Sequence, residues 1–302
     1  MAMRSTVAGE IVPSSLLTLF LALTAASPRE NHIRSGETWQ PRSVMDTPGV
    51  NGVVIFSGTV RGARVGPLNV RRAYRAVETR GRNSVLRDIR IEGLEATELE
   101  RDGIRLRGDI DGAVIRDFTL RMRDRPQSGG HLPEGIALMA GRNISISDGQ
   151  ISGFRMVPVK DRYTNGDGIA AERSVENLRI ARVEANDNSD AGFDLKSSRT
   201  RLDALVARRN FRNYRFWHDV DAGTLTSVDP RNAHIWIGKQ GKVRIDRLVA
   251  RSSTEAPVFR IEKGGRLEVG RCDLSLPRET PIVAGDRTHV RLGPGCRYRE
   301  RH

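Results

Sequence analysis

The sequence predicts an all-β, right-handed parallel β-helix with coils of about 20–24 residues, and three observations lead to this fold. Short apolar pieces recur behind turn residues, and from Ile169 onward their spacing stays close to one coil length. Alternating stretches such as "ENLRIARVEA" and "GKVRIDRLVA" follow them and indicate strands with one buried face. Aromatic residues make up only 5% of the chain, which favours a narrow stacked core. The repeat is anchored at Ile104, Ile136, Ile169, Phe193, Phe216, Trp236, Phe259 and Val283.

Other repeat folds fit the pattern less well. A β-propeller needs repeats of about 40 residues, and leucine-rich repeats need a Leu/Asn pattern that this chain lacks. An asparagine precedes four successive anchors, where its tolerance of left-handed turns suits a coil corner and its amide can stack from coil to coil. These corner positions are Asn165, Asn188, Asn210 and Asn232.

The N-terminal segment is typical of an export signal. Arg4 precedes an apolar run over residues 16–26, and small residues permit cleavage after Ala26. A membrane anchor is the alternative, but the run is short for a bilayer span. We therefore expect a signal peptide over 1–26, a lead-in over 27–50 and one β-helix domain over 51–302. The mature chain is expected to be secreted or periplasmic, monomeric and without a membrane span.

The charge predicts an anionic partner. The chain has 50 basic and 37 acidic residues and a formal net charge of +13. Such a surface attracts polyanions. No compact basic cluster is interleaved with aromatic residues, so nucleic acid is not expected and an acidic polysaccharide is the favoured partner.

The two cysteines test the repeat. The step from Cys272 to Cys296 equals the step between the anchors Phe259 and Val283. They are expected to lie above one another on adjacent coils, about 4.8 Å apart along the stack. That spacing permits a disulfide, and two inert small hydrophobic residues are the alternative.

Two coils are longer than the others. The extra residues, 122–134 and 154–165, precede the same strand face and are expected to project side by side as loops. Long loops on one face of a solenoid often form a binding wall. Lys160, Arg162 and Tyr163 on the second loop are therefore candidate substrate-binding residues, with solvated connecting loops as the alternative.

The period-2 rule places a polar set on one outer face. If the anchors point inward, Asp194, Lys196, Arg215 and Trp217 point outward, together with Arg105, whereas Trp236 belongs to the core. Asp167 and Asp190 lie where neighbouring coils turn into the strand. The constellation is thus Asp167, Asp190, Asp194, Lys196, Arg215 and Trp217.

These residue types suggest a specific chemistry. Three gathered carboxylates need a cation or protons, and Ca²⁺ tolerates irregular oxygen ligands, so Asp167, Asp190 and Asp194 are candidate calcium ligands. A nearby cation would favour the neutral amine of Lys196 as a general base. The reaction that needs such a pair is β-elimination on a uronate. Arg215 would assist catalysis or bind the substrate carboxylate, and Trp217 and Arg105 would contact the sugar.

The segments "GDGIAAE" and "NSDAGFDL" resemble the calcium site of the family-nine pectate lyases, which are right-handed β-helices. The local resemblance runs from Asn165 to Asp219 and implies that Asp167, Asp190 and Asp194 are calcium ligands. Ala191 stands where the family has a further Asp ligand. Trp217 stands where the family has its lysine base, so Lys196 or Arg215 would have to act instead.

Two other functions stay open at this stage. The same segments resemble polygalacturonase-type glycoside hydrolases, in which Asp167 and Asp190 would form the acid–base pair. That family's Gly-His-Gly and Arg-Ile-Lys motifs are absent here. A non-catalytic glycan-binding β-helix on a cell surface is the third possibility, in which the Asp-Gly pairs only turn the chain at coil corners.

Overall fold

The computed structural model describes residues 30–128 and 132–296, and within these ranges the chain forms 24 strands and no helix. Every strand pairing is parallel, and each inner strand pairs with its equivalents one coil before and one coil after, whereas the terminal strands pair on one side only. The result is a parallel β-solenoid of about 11 turns, which confirms the predicted fold class. The proposed signal peptide, residues 1–26, lies outside the described residues. No helix that could cross a membrane occurs in the described ranges.

One sheet of the solenoid, called the site sheet below, bears the candidate site. It contains β1 (Asn31–Ile33), β8 (Asp102–Leu106), β10 (Glu134–Leu138), β12 (Asp167–Ala171), β14 (Ala191–Leu195), β17 (Arg212–Phe216), β19 (Ala233–Ile237), β21 (Phe259–Ile261) and β23 (Val283–Gly285). The first parts of β4 (Val54–Arg61) and β7 (Arg75–Leu99) complete it.

The remaining strands form the other faces of the coils. They are β2 (Thr38–Trp39), β3 (Met45–Asp46), β5 (Arg64–Val65), β6 (Leu68–Arg71), β9 (Asp109–Met122), β11 (Gly141–Ser152), β13 (Val175–Asn186), β15 (Thr200–Asp203), β16 (Leu205–Arg208), β18 (Asp219–Val228), β20 (Lys242–Arg251), β22 (Arg266–Ser275) and β24 (Val290–Leu292).

The register of the site sheet corrects two of the predicted anchors. Phe193 pairs with Tyr214, and Tyr214 pairs with Ile235, so these two steps are equal in length, whereas the predicted anchors made them unequal. Tyr214 is fully buried and stacks on Phe193 with ring centroids 5.3 Å apart. Because successive side chains alternate between faces, this register turns Trp236 to the outer face instead of the core.

A buried asparagine ladder follows one corner of the solenoid. Asn188 donates to the side-chain oxygen of Asn210 over 2.9 Å, and Asn210 donates to that of Asn213 over 2.9 Å. The predicted stacking therefore holds for Asn188 and Asn210. It continues into Asn213, which was not predicted, because the amides satisfy one another where water is excluded.

The two insertions lie side by side, as predicted. Gln127 and Met156 form an isolated parallel bridge between them. The amide of Gln127 donates to the Arg155 carbonyl, and the amide of Val157 donates to the Gln127 carbonyl, both over 2.8 Å. Residues 129–131 of the first insertion lie outside the described residues.

Cys272 and Cys296 form a disulfide between adjacent coils, with their Cα atoms 4.6 Å apart. The structure therefore decides between the two alternatives left open by the sequence.

Replacing Cys272 with Ser is expected to lower the free energy of unfolding by about 3 kcal/mol, because the bond closes a long loop in the unfolded chain. Urea unfolding measures the loss. Wild-type protein under reducing conditions should lose the same amount, and an unchanged midpoint in both samples would contradict the prediction.

Candidate functional site

Three outward rows of side chains run along the site sheet, each crossing successive coils at about 4.8 Å per step. The first row is Asp102, Glu134, Asp167, Ala191 and Arg212. The second row is Arg105, Ala137, Ala170, Asp194, Arg215, Trp236 and Arg260. The third row stands two positions beyond the second and includes Glu172, Lys196 and Trp217.

Asp190 is the centre of an ion-pair cluster. It is 1% exposed and lies directly before β14. The guanidinium of Arg212 donates to its Oδ1 over 2.7 Å, and that of Arg215 donates to its Oδ2 over 3.2 Å. The hydroxyl of Tyr163 also donates to Oδ2 and accepts from Arg215 over 2.7 Å. The second insertion thus brings Tyr163 onto the site sheet, and its role in binding a substrate stays a prediction.

Asp194 links this cluster to the third row. Its Oδ1 accepts from the indole nitrogen of Trp217 over 2.6 Å. Its Oδ2 lies 3.6 Å from Arg215 and 3.7 Å from Lys196. Both distances exceed a hydrogen bond, so each cation keeps donors that a ligand could use.

Aromatic rings hold the Arg215 guanidinium in place. It lies 4.5 Å from the Trp217 ring centroid and 5.0 Å from that of Trp236. The two indoles are in edge contact with centroids 4.6 Å apart. Such cation–π contacts fix the direction of the guanidinium. The sequence predicted Trp236 in the core and not beside Arg215, because the length of each coil could not be predicted to within one residue.

Lys196 is held in its charged form. Its ammonium donates to Glu172 over 2.7 Å. Desolvation by burial acts to lower the pKa of Lys196, but the carboxylates of Asp194 and Glu172 outweigh it and raise the pKa above its usual range. The amine is therefore protonated at neutral pH.

Asp167 is buried among other carboxyl groups. Its Oδ1 accepts from the amide of Ala191 over 2.7 Å. Desolvation by burial, followed by the charges of Asp194 and Asp190, raises the pKa of Asp167 well above the usual value. Desolvation also raises the pKa of Asp194, against the opposing effects of Arg215 and Lys196. Asp167 and Asp194 thus bind protons more tightly than exposed carboxyl groups do.

Seven predicted residues come together in this one site: Asp167, Asp190, Asp194, Lys196, Arg215, Trp217 and Tyr163. Arg105 lies three coils from Asp194 along the second row, with its guanidinium 4.0 Å from Asp102. Lys160 and Arg162 are exposed on the insertion and make no side-chain hydrogen bond or ion pair with the described residues.

Part of the first row was not predicted from the sequence, and neither was Glu172 as the partner of Lys196. Asp102, Glu134 and Asp167 stack on consecutive coils, and Arg212 stands two coils beyond Asp167. A signal for the acidic residues was present in the chain. Each one precedes Gly-Ile, in "DGI", "EGI" and "DGI". Aligning these tripeptides on their anchors would have placed the three carboxyls in register.

The acidic part of the first row predicts a pH-dependent stability. Desolvation by burial, reinforced by the charge of Asp102, raises the pKa of Glu134 to about 8. A raised carboxyl pKa means that the native state binds more protons than the unfolded state between pH 4.5 and 8. The contribution of Glu134 to the free energy of unfolding therefore falls as pH rises through this window.

Replacing Glu134 with Gln is expected to flatten the decline and to stabilise the protein at pH 8 relative to wild type. Urea midpoints from pH 4.5 to pH 8 measure the effect. The remaining slope reports Asp102 and Asp167, whose pKa values burial also raises. An unchanged slope in the Glu134→Gln protein would contradict the assignment.

The carboxylates predicted to bind calcium already have other partners. Both oxygens of Asp190 already accept from Arg212, Arg215 and Tyr163, and Asp194 accepts from Trp217. Among the residues described, no group of three or more His, Cys, Asp or Glu side chains is arranged to hold a metal ion. As arranged, these side chains do not fit Ca²⁺. The reaction proposed for this site therefore uses no metal, and calcium binding stays a prediction from the sequence.

Thermal unfolding discriminates between the two arrangements. A calcium site predicts a higher Tm with Ca²⁺, lost in Asp194→Ala. We expect no shift, because Arg212 and Arg215 already pair with Asp190 and Arg215 also lies beside Asp194. A calcium-dependent Tm in wild type that disappears on adding a chelator would contradict this expectation and support the ligand set predicted from the sequence.

Comparison with known proteins shows no family for this chain. No protein-family model matches the chain, and no curated protein matches it. Among solved structures, the chain is similar to a mutant of the periplasmic alginate epimerase AlgG, at 13% identity and a TM-score of 0.30. The match covers 79% of this chain and 62% of that chain, so it spans less than two thirds of the other protein. A likeness at this level carries no argument about the activity of this chain.

Proposed function

We propose that this protein binds a uronate-containing polysaccharide on the site sheet and cleaves it by β-elimination. The observation that carries the proposal is the position of Arg215 and Lys196 on either side of Asp194, 3.6 and 3.7 Å from one oxygen. Their side chains are 12% and 25% exposed, so solvent reaches both cations. Two fixed cations beside an exposed edge suit a carboxylate ligand.

Unpaired donors support the same assignment. The Nε atoms of Arg212 and Arg215 are buried and have no hydrogen-bond partner among residues 30–128 and 132–296. Buried polar groups are nearly always paired, and exceptions accompany functional sites or bound water. Tyr163 covers this cluster from the second insertion, and the residue is 54% exposed. Movement of that side chain would open the guanidinium groups to a substrate.

The proposed reaction uses three side chains. Arg215 pairs with the uronate carboxylate and stabilises the negative charge that develops when the adjacent carbon loses its proton. The neutral amine of Lys196 takes that proton as the C–H bond breaks and a C=C bond forms. The glycosidic C–O bond then breaks, and the hydroxyl of Tyr163 donates its proton to the leaving oxygen.

The pKa shifts give this mechanism a defined pH dependence. The active form needs Lys196 neutral and Tyr163 protonated. The pKa of Lys196 is raised, and desolvation followed by Asp190 also raises the pKa of Tyr163 above its usual range. We therefore expect kcat/KM to rise with pH through the alkaline range, and Lys196→Ala to abolish the rise. A maximum near pH 5 would contradict the use of Lys196 as the base.

One assay tests the proposal directly. Purified protein is incubated with long polygalacturonate, polyguluronate and polyglucuronate chains, and the ultraviolet absorbance of unsaturated products is followed with Ca²⁺ and with a chelator. Growth of absorbance on one polymer is the expected result. Binding without any product would contradict the lyase and support a non-catalytic glycan-binding protein. Absence of binding would contradict the proposal as a whole.

Hydrolysis is the second candidate, and one observation favours it. The raised pKa of Asp167 would keep its proton available for a leaving group, while Asp190 on the next coil is ion-paired with two arginines. A carboxyl pair with unequal environments is the requirement of glycoside hydrolysis. New reducing ends without unsaturated absorbance would favour this reaction over elimination.

A further inference from the structure

Lysine is rare in this chain, yet three of its five lysines lie together on the C-terminal coils. Lys239 and Lys263 stand two positions beyond the paired residues Ile237 and Ile261 on adjacent coils. Lys242 pairs in register with Arg266. The four cations therefore form two short rows, which we call the basic track: Lys239, Lys263, Lys242 and Arg266.

The basic track is exposed and poorly neutralised. All four side chains belong to exposed residues. Lys239, Lys263 and Arg266 form no ion pair with a carboxylate in the described part of the chain, and Lys242 lies 4.0 Å from Asp219. Four carboxylates lie close by: Glu262, Glu268, Asp219 and Asp286, and the last accepts from the amide of Gly264 over 2.9 Å. Lys239, Lys263 and Arg266 nevertheless keep donors that an anion could use.

Two concave surfaces lie along the basic track, and one of them reaches the candidate site. A cavity of about 420 Å³ lies between Trp217 of the third row and Lys239, with Arg173, His218 and Glu262 on its wall. A separate groove of about 480 Å³ is lined by Lys242, Arg266 and Glu268 among others. A chain-like ligand leaving the site past Trp217 would therefore meet cations on each of the next coils.

We propose that the basic track binds the part of an anionic polysaccharide that extends beyond the candidate site, so that the polymer runs along the solenoid axis towards the C-terminal coils. This inference rests on the proposed function. The cations repeat at the coil spacing of about 4.8 Å, which suits a polymer with one carboxylate per sugar. Nucleic acid fits less well, because the basic track itself has no aromatic side chain on which bases could stack.

Equilibrium binding to long polygalacturonate, polyguluronate and polyglucuronate chains, and to their disaccharides, tests the inference. The doubles Lys239→Gln/Lys263→Gln and Lys242→Gln/Arg266→Gln should each weaken long-chain binding on the order of tenfold at low salt, with a shallower salt dependence. Disaccharide binding and turnover should not change, since these residues lie outside the cluster that contacts the reacting sugar.

Arg251→Gln/Arg271→Gln is the matched control, because it removes two exposed arginines from the same strands, β20 and β22, at positions outside the basic track. It should bind long chains as wild type does. Equal long-chain affinity in wild type and the track doubles would overturn the inference and leave the proposed function standing. An equal loss in the control, or tighter binding of duplex DNA than of any polyuronate, would also overturn it. A wild type that binds no polyuronate would overturn both proposals.

Discussion

Arg215→Lys is expected to lower kcat/KM on the polyuronate substrate by about a hundredfold or more. Lysine keeps the charge, but it cannot donate to Asp190 and Tyr163 and also face the substrate carboxylate, as the planar guanidinium does. It also loses the stacking on Trp217 and Trp236 that sets the direction of the group. Initial rates of unsaturated product formation measure the loss.

Arg260→Lys is the control for this prediction. Arg260 belongs to the same outward row, two coils away from Arg215, and is exposed. Its replacement should leave kcat/KM within about twofold of wild type, since no charge develops there. If Arg215→Lys keeps full activity while both variants unfold at the wild-type temperature, Arg215 does not bind the reacting carboxylate.

Asp190→Asn is expected to destabilise the protein by about 3–5 kcal/mol, because it removes the carboxylate that Arg212 and Arg215 share and leaves Arg215 only Asp194, 3.6 Å away. The side chains of Arg212 and Arg215 are 16% and 12% exposed, so solvent reaches them but compensates only part of the lost charge. Urea unfolding at neutral pH measures the change in free energy.

Asp187→Asn is a matched control from the same coil. Asp187 pairs with Arg209 through two hydrogen bonds of 2.7 Å, but the side chains are 45% and 54% exposed. Exposed pairs contribute about 0–1 kcal/mol, and asparagine tolerates the left-handed backbone at this position. A loss for Asp190→Asn no larger than for Asp187→Asn would show that Asp190 does not neutralise the two arginines in the folded state.

The sequence predicted which candidate residues share one face of the solenoid, but it did not predict which residues they contact. Period-2 alternation was enough to bring Asp194, Lys196, Arg215 and Trp217 to one face, because it depends only on local backbone geometry. The partners depend on which residues of successive coils stand side by side. The sequence therefore predicted three carboxylates around a cation, whereas the structure pairs Asp190 with Arg212 and Arg215 and places Asp194 beside Lys196 and Trp217. Asp167 accepts from the amide of Ala191 instead.

The solenoid itself was determined by the sequence, since the repeat, the alternating strands and the matching cysteine spacing are written along the chain. The register was decided only by the tertiary structure. Between Phe193 and Ile235 the two coils are equal in length, and a shift of one residue in a strand moves every side chain to the opposite face. That shift placed Trp236 beside Arg215. Coil lengths are set by how corners and insertions pack against their neighbours, which local patterns do not encode.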